Sequence, residues 1–319
     1  MLAGFDMYIG PAAGLATSCL WTGTSLFFTA AGRRLGATVV NGSRIAVAIL
    51  LLGITHRLLA GVWVPQMVAG QVLFLAASGV VGLSLGDQAL FTAFVSIGPR
   101  LSMLIMTTAP IFAALFGWLA LGETLRPVAW VAMGLTIGGV AWVVLERPYE
   151  ETGTHGRRRV RGVLLALVAA ACQAGGLWLS KQGMGHGWLP QEQRLDPQAA
   201  TLVRMCFAGV GMVPIMTMYH LRRRRRLTVG VESARVGSRR AGLVFAACGA
   251  VVGPFLGVWM SLVASDRAPL GVAQTLCSLP PVLLLPVVVL VYKERVSMRA
   301  VIGAVIAVSG TALLFFKPQ

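Results

Sequence analysis

Hydrophobic stretches recur along the whole chain, and most are close to the roughly 20 residues that an α-helix needs to cross a bilayer. Short groups of charged, proline or turn-forming residues separate them, which predicts ten membrane-spanning helices. The predicted spans cover residues 8–32, 38–55, 65–95, 101–121, 126–145, 162–183, 198–218, 241–264, 270–291 and 298–316. Residues 65–121 hold only Asp87 and Arg100 as charges, so we predict a tight turn beside Pro99 and Arg100.

Composition supports a lipid environment. Hydrophobic residues make up 56% of the 319 residues and charged residues 12%, about half of the ~25% charged fraction of soluble domains. Backbone groups in hydrocarbon must bond to one another, so the spans should be helices. The fold class predicted is therefore an all-α membrane protein with the lipid bilayer as its main partner.

The sequence lacks motifs for several kinds of chemistry, which narrows the range of possible functions. The five cysteines lie in apolar stretches without CxxC spacing, and the four histidines are scattered, so neither a metal nor a cofactor is predicted. The sequence has no GxxxxGK[ST] loop, which excludes an ATP-driven pump of the P-loop type, and no HExxH helix. We predict that the protein is not an enzyme.

The basic residues indicate an orientation. Nineteen Lys and Arg residues fall in odd-numbered loops and six in even-numbered loops and termini, which predicts cytoplasmic odd loops and both termini outside the plasma (inner) membrane. The run Arg222–Arg226 could instead bind nucleic acid or anionic lipid. We interpret it as a topogenic cluster and expect no nucleic acid partner. No oligomeric state is predicted.

The two halves of the chain correspond. The second half can be aligned on the first so that Pro281 falls on Pro110, and we call this the repeat alignment. It also pairs Glu123 with Glu294, Gly82 with Gly253, Gly86 with Gly257 and Gly139 with Gly310. Each second span also holds one arginine, Arg44 or Arg204. Because five is an odd number of spans, the second half must enter the membrane from the opposite side. This predicts two inverted five-helix repeats, residues 1–146 and 162–319, joined by a linker at 147–161, an arrangement typical of secondary transporters.

At this point the chain resembles the EamA domains of the drug/metabolite transporter superfamily. The likeness rests on the prolines Pro110 and Pro281, the glutamates of LGET (Glu123) and YKER (Glu294), the small-residue spans ending GGVAW and SGTAL, and the two arginines. It implies a ten-helix secondary carrier of small molecules, often an exporter, with a central cavity. The resemblance implies both termini inside, whereas the charge count predicts both outside, and we keep the count.

Several polar and aromatic residues within the spans are candidates for a substrate or proton pathway. Asp87 is the acidic residue placed well inside a span, and the repeat alignment places Val258 opposite it in the second half. It is a cargo or proton site, or else a structural carboxylate. The remaining candidates have packing or helix–helix hydrogen bonding as the alternative role. They are Gln88, Gln173, Gln274, Trp21, Trp178 and Trp259.

Two further groups are predicted to shape the pathway. Arg44 and Arg204 pair either with substrate carboxylates or with helix-end carbonyls. Glu123 and Glu294 cap or bridge helix ends at opposite membrane faces, and a structural or gating role is predicted for all four residues. Pro110 and Pro281 are predicted mid-helix hinges. The alternatives to a transporter are a membrane-embedded lipid-handling enzyme and a non-transporting scaffold.

Overall fold

A computed structural model describes residues 2–146, 156–189, 194–228, 238–283 and 298–316. Every regular element in these ranges is helical, and each of the ten predicted spans contains a helix, which confirms the fold class. In order, the helices are Leu2–Leu35; Ala37–Ala60; Ala69–Ser78 continuing through Gly79–Gly86 to Asp87–Met106; Ala109–Leu121; Pro127–Glu146; Gly156–Gly183; Pro197–Thr228; Arg239–Ala250 continuing through Val251–Gly257 to Val258–Arg267; Leu270–Leu276; and Met298–Phe316. Five of the described helices are long and apolar enough to cross a membrane, and four more are apolar but shorter.

The predicted turn beside Pro99 and Arg100 is wrong. The helix of the third span continues from Asp87 to Met106, and the chain turns at Thr107 and Thr108. A charge that interrupts a hydrophobic run need not end a helix, because a helix can extend past the hydrocarbon into the polar headgroup region. The apolar run therefore ends before the helix does.

The predicted mid-helix position of the two prolines is also wrong. Pro110 is the second residue of the helix Ala109–Leu121, where the missing N–H of proline removes no helical bond. Pro281 lies at the equivalent place, directly after a break at Leu279. The two breaks have matching hydrogen bonds: Ile111 N to Thr108 O is 3.0 Å, and Val282 N to Leu279 O is 2.9 Å. Any hinge here depends on the break and not on a kinked helix.

The paired glycines of the third and eighth spans lie in two π-helical segments. These segments are Gly79–Gly86 and Val251–Gly257, and the repeat alignment superposes them almost end to end. A π-helical segment widens the helix and is often found beside functional sites. Asp87 is the first residue after one segment, and Val258 is the first after the other.

Gly139 and Gly310 bring the fifth and tenth spans into close contact. A Cβ at Gly139 would lie 2.6 Å from Gly303 O, and a Cβ at Gly310 would lie 2.7 Å from Ala132 O. The repeat alignment converts each contact into the other, which is the pattern of a two-fold axis. Because the later residue of one helix meets the earlier residue of the other, the helices are antiparallel. The repeats are therefore inverted.

This close packing leads to a stability prediction. We expect Gly139→Ala and Gly310→Ala each to lower the melting temperature of the purified protein, because the added methyl group meets backbone atoms that cannot move aside. Gly138→Ala is the matched control, since a Cβ there has no atom within 4 Å. Thermal unfolding in detergent measures all three variants. Equal melting temperatures for the three would contradict the close approach.

The helices form two bundles that exchange elements between the repeats. Spans 1, 2, 8 and 9 pack together as bundle I, and spans 3, 4, 6 and 7 pack together as bundle II. The first helix of each repeat thus packs mainly against the third helix of the other repeat. Spans 5 and 10 pack against each other. The units that the two-fold axis relates are therefore mixed bundles and not the two halves of the sequence.

Candidate functional site

A buried ion pair joins the two bundles near the middle of the third span. Nη2 of Arg44, in bundle I, donates to Oδ2 of Asp87, in bundle II. Arg44 is 2% exposed and Asp87 is also buried. A carboxylate in hydrocarbon needs a partner or a cavity, and Asp87 has a partner in Arg44.

Neighbouring side chains hold the guanidinium of Arg44 in place. Its Nε donates to Oδ1 of Asn41 at 2.9 Å, and Asn41 in turn contacts the sulfur of Met212 at 3.4 Å. The rings of Phe28 and Phe91 lie 5.7 and 5.6 Å from the guanidinium carbon, one from each bundle. Cation–π contacts of this kind stabilise a charge without hydrating it. The guanidinium of Arg44 is thus held by groups of the protein itself.

Arg204, the repeat counterpart of Arg44, lies in a different environment. It is 2% exposed, and its Nη2 is so close to Gly82 and Gly176 that a Cβ on either glycine would come within 2.8 or 3.2 Å. Its Nε has no hydrogen-bond partner among the described residues. Asp87 is close enough to act on it electrostatically. One carboxylate therefore pairs with the guanidinium of Arg44 and lies within electrostatic range of that of Arg204.

A second polar cluster joins the bundles at one membrane face, and we call it the lock. Glu123, which follows the fourth span, accepts from Lys181 Nζ at 2.5 Å and from the backbone N–H of Leu270 at 2.7 Å. Lys181 also donates to Ala268 O at 2.8 Å. Because Leu270 begins the helix of the ninth span, Glu123 caps a helix of the opposite bundle. Its repeat counterpart Glu294 lies outside the described residues.

A further contact belongs to the lock. Nε2 of His186, in the loop after the sixth span, lies 2.7 Å from Oδ1 of Asp266 at the end of the eighth span. Gly10 in the first span packs against Arg267 and Ala268, so the lock lies at the face where the first span begins. This face carries the even-numbered loops. The lock thus closes the gap between bundles I and II on the even-loop face.

The predicted tryptophans and glutamines are spread around the same interior. Trp178 stacks on Phe116 at 5.8 Å and meets the edge of Trp188, while its Nε1 has no partner among the described residues. Trp21 lies near Gly257, and Trp259 tilts against Phe255 at 6.2 Å. Gln88 has a buried Oε1 without a partner in the described part of the chain. Gln274 is buried and Gln173 half-buried.

One hydrolase-like spacing occurs in the third span and does not form a hydrolase site. Residues 82–86 read Gly-Leu-Ser-Leu-Gly, which matches GxSxG. A nucleophilic serine in that motif lies on a strand-to-helix turn, whereas Ser84 lies in a π-helical segment. Its hydroxyl donates to Ala208 O at 2.8 Å. Ser84 therefore joins the third span to the seventh.

Sequence reasoning missed several of these residues. Most of the lock is formed by Lys181, His186 and Asp266. In the sequence these are single charged or titratable residues near the ends of spans, and the charge count treated Lys181 as a loop residue. Its burial inside the helix Gly156–Gly183 strengthens the charge bias between the faces. Asn41 was missed because an asparagine three residues before an arginine is a common spacing. A lysine near the end of the apolar stretch 162–183 was the available signal.

Comparisons with known proteins agree with this architecture. The model of the EamA-like transporter family matches residues 8–145 and 160–316, one match for each repeat. One solved crystal structure is similar over 95% of this chain and 94% of its own, with a TM-score of 0.70 and 19% identity, which shows a shared fold. No curated protein matches the sequence. With two family matches that together cover most of its length, the chain belongs to the EamA-like transporter family, a family of integral membrane transporters.

Proposed function

We propose that this protein is a secondary transporter that exports small metabolites or amphiphilic compounds by alternating access. The observation that carries the proposal is the lock, which joins two mixed bundles at one face only a few helical turns from the buried Arg44–Asp87 pair. Bundles related by a two-fold axis can rock about a central site and expose it to each face in turn. The described conformation is then the one closed at the even-loop face.

The charge count supports placing that face outside. With odd-numbered loops in the cytoplasm, the lock closes the outer end of the pathway and cargo enters from the cytoplasmic end. This order of events is the one that an exporter in the plasma membrane needs before it releases cargo outside. Both termini would then lie on the outer side.

We further propose that Asp87 couples transport to protons. Protonation of Asp87 removes the charge that holds Arg44, and it therefore loosens the contact between bundles I and II at this ion pair. Proton binding and bundle movement would then be linked. In a proton-independent carrier, the pair would stay intact throughout the cycle.

Flux measurements test both parts. Wild-type protein in proteoliposomes should move at least one compound from a panel of amino acids, organic acids, nucleosides and amphiphilic amines, chosen by the rise in melting temperature that bound cargo produces. We expect Asp87→Asn to reduce that flux tenfold or more and to abolish its response to a pH gradient. Arg126→Gln, on the exposed surface, is the control.

Each alternative predicts a different result. A non-transporting scaffold would give no flux for any member of the panel. A lipid-handling enzyme would convert a phospholipid of the liposome, which thin-layer chromatography of the extracted lipids would detect. Equal pH-driven flux for Asp87→Asn and wild type would overturn the proton site while leaving the transporter in place.

A further inference from the structure

The two repeat-related arginines have unequal surroundings. Arg44 has a carboxylate in Asp87, an amide acceptor in Asn41 three residues before it, and the ring of Phe91. Aligning Arg204 with Arg44 in the second span of each repeat places Thr201 at the position of Asn41. In the third spans the repeat alignment places Val258 at the position of Asp87 and Leu262 at that of Phe91. The hydroxyl of Thr201 is already bonded to Pro197 O at 2.6 Å. The carboxylate, the amide acceptor and the ring that Asp87, Asn41 and Phe91 offer to Arg44 therefore have no equivalent at Arg204.

The described charges leave Arg204 without a counter-ion of its own. Asp87 is paired with Arg44, Glu123 with Lys181, and Asp266 with His186 and Arg267. Asp196 accepts from the backbone N–H of Gln198 at 2.8 Å. The group formed by Arg44, Asp87 and Arg204 thus carries one positive charge inside the membrane. A buried cation of this kind requires an anion to compensate it.

Nη2 of Arg204 packs against the backbone of two neighbouring helices. Two glycines, Gly82 of the third span and Gly176 of the sixth, face the guanidinium, so no side chain from either position covers it. The same two helices carry an unpartnered acceptor, Oε1 of Gln88, and an unpartnered donor, Nε1 of Trp178, within the described part of the chain. The two helices that pack against Arg204 thus carry two unpartnered polar atoms that a bound molecule could use as hydrogen-bonding partners.

We propose that Arg204 binds the carboxylate of a small monoanionic cargo molecule, an inference that rests on the proposed transport function. A guanidinium group offers two parallel N–H donors to a carboxylate. One negative charge neutralises the group of Arg44, Asp87 and Arg204, whereas a phosphate monoester, with a charge of about −1.5 to −2, would leave it negative. Arg44 has no part in this contact because Asp87 already holds it.

Matched pairs of probes test the proposal. Purified protein is titrated with phenylacetate and phenylacetamide, and with N-acetyl-L-phenylalanine and N-acetyl-L-phenylalaninamide, while the melting temperature is followed. We expect each carboxylate to bind at least tenfold more tightly than its amide in the wild type. Arg204→Gln should remove that preference, and Arg204→Lys should keep part of it because the charge remains. Binding of the amides as tight as that of the carboxylates, or no binding of either carboxylate, overturns the proposal.

A stability measurement separates binding from a structural role. Without ligand, Arg204→Gln should melt at the wild-type temperature or higher, since it removes an uncompensated buried charge. A lower melting temperature for Arg204→Gln would indicate that Arg204 is structural and would overturn the proposal. The proposed transport function has a separate test, because absence of flux for every member of the panel would contradict it. Flux of neutral compounds alone would overturn the anion site and leave the transport function in place.

Discussion

Replacing Arg44 with glutamine is expected to destabilise the protein by about 3–5 kcal/mol, the range for breaking a buried ion pair from one side. The loss arises because the buried carboxyl group of Asp87 has Arg44 as its one direct cationic partner among the described residues, and the substitution removes that partner. Asp87→Asn should have a comparable effect, since it leaves both Arg44 and Arg204 without a carboxylate. Unfolding by sodium dodecyl sulfate in mixed micelles measures the free energy of unfolding for each variant.

The double variant gives the control for this prediction. Arg44→Gln combined with Asp87→Asn removes both charges, and the two amides can hydrogen-bond to each other. We expect the double variant to be more stable than either single variant, with a coupling energy outside the range of independent sites. Arg126→Gln, an exposed arginine, should change stability by less than about 0.5 kcal/mol. Additive losses from the two single variants would show that the pair does not form.

Weakening the lock is expected to shift the protein toward a state open at the even-loop face. Glu123 joins the bundles by accepting from Leu270 N, whereas its ion pair with Lys181 lies within bundle II and orients the carboxylate. Glu123→Gln replaces the charged acceptor for Leu270 N with a neutral one, which weakens the contact between the bundles. If about 1.4 kcal/mol is lost from the closed state alone, the ratio of open to closed molecules rises roughly tenfold. Nitroxide labels at Ala12 and Thr124, exposed positions at the lock-face ends of the two bundles, report this as a longer distance.

A matched substitution at the same face separates this effect from general loosening. Thr124→Ala changes an exposed neighbour of Glu123 that takes no part in the lock. For this variant the nitroxide labels are placed at Ala12 and Arg126, and we expect the distance distribution between them to stay unchanged. Transport should fall in Glu123→Gln, because a carrier that rests mostly in one state turns over slowly. An unchanged distance in Glu123→Gln would mean that the lock does not hold the face closed.

Much of the fold follows from the sequence because a bilayer allows few solutions. Hydrophobic run length predicts the spans, and the odd number per repeat with the pairs Pro110–Pro281 and Gly139–Gly310 predicts inversion. The structure confirms that inversion through contacts that the repeat alignment exchanges. The turn at Thr107 and Thr108 was not predictable from hydropathy, since helical hydrogen bonding continues past Arg100 regardless of lipid.

The site was less predictable, because pairing depends on which helices become neighbours. Nothing in the sequence tells that the second and third spans belong to different bundles, and so nothing there assigns Asp87 to Arg44 or separates the role of Arg44 from that of Arg204. The lock combines Glu123 with Lys181 and His186 with Asp266 across long sequence separations. Symmetry identified Arg44, Arg204 and Glu123 as candidates, the burial of a charge within a span identified Asp87, and the packing of the helices decided their partners.

A reversible cross-link across the lock face tests alternating access most directly. A Cβ at Gly117 lies 3.4 Å from Cβ of Leu270, close to the ~3.5–4.5 Å of a disulfide, and the two positions belong to different bundles. In a background without native cysteines, Gly117→Cys with Leu270→Cys should lose at least tenfold in flux on oxidation and recover it with dithiothreitol, while each single variant responds to neither. Full flux with the disulfide formed would contradict a pathway that must open at this face.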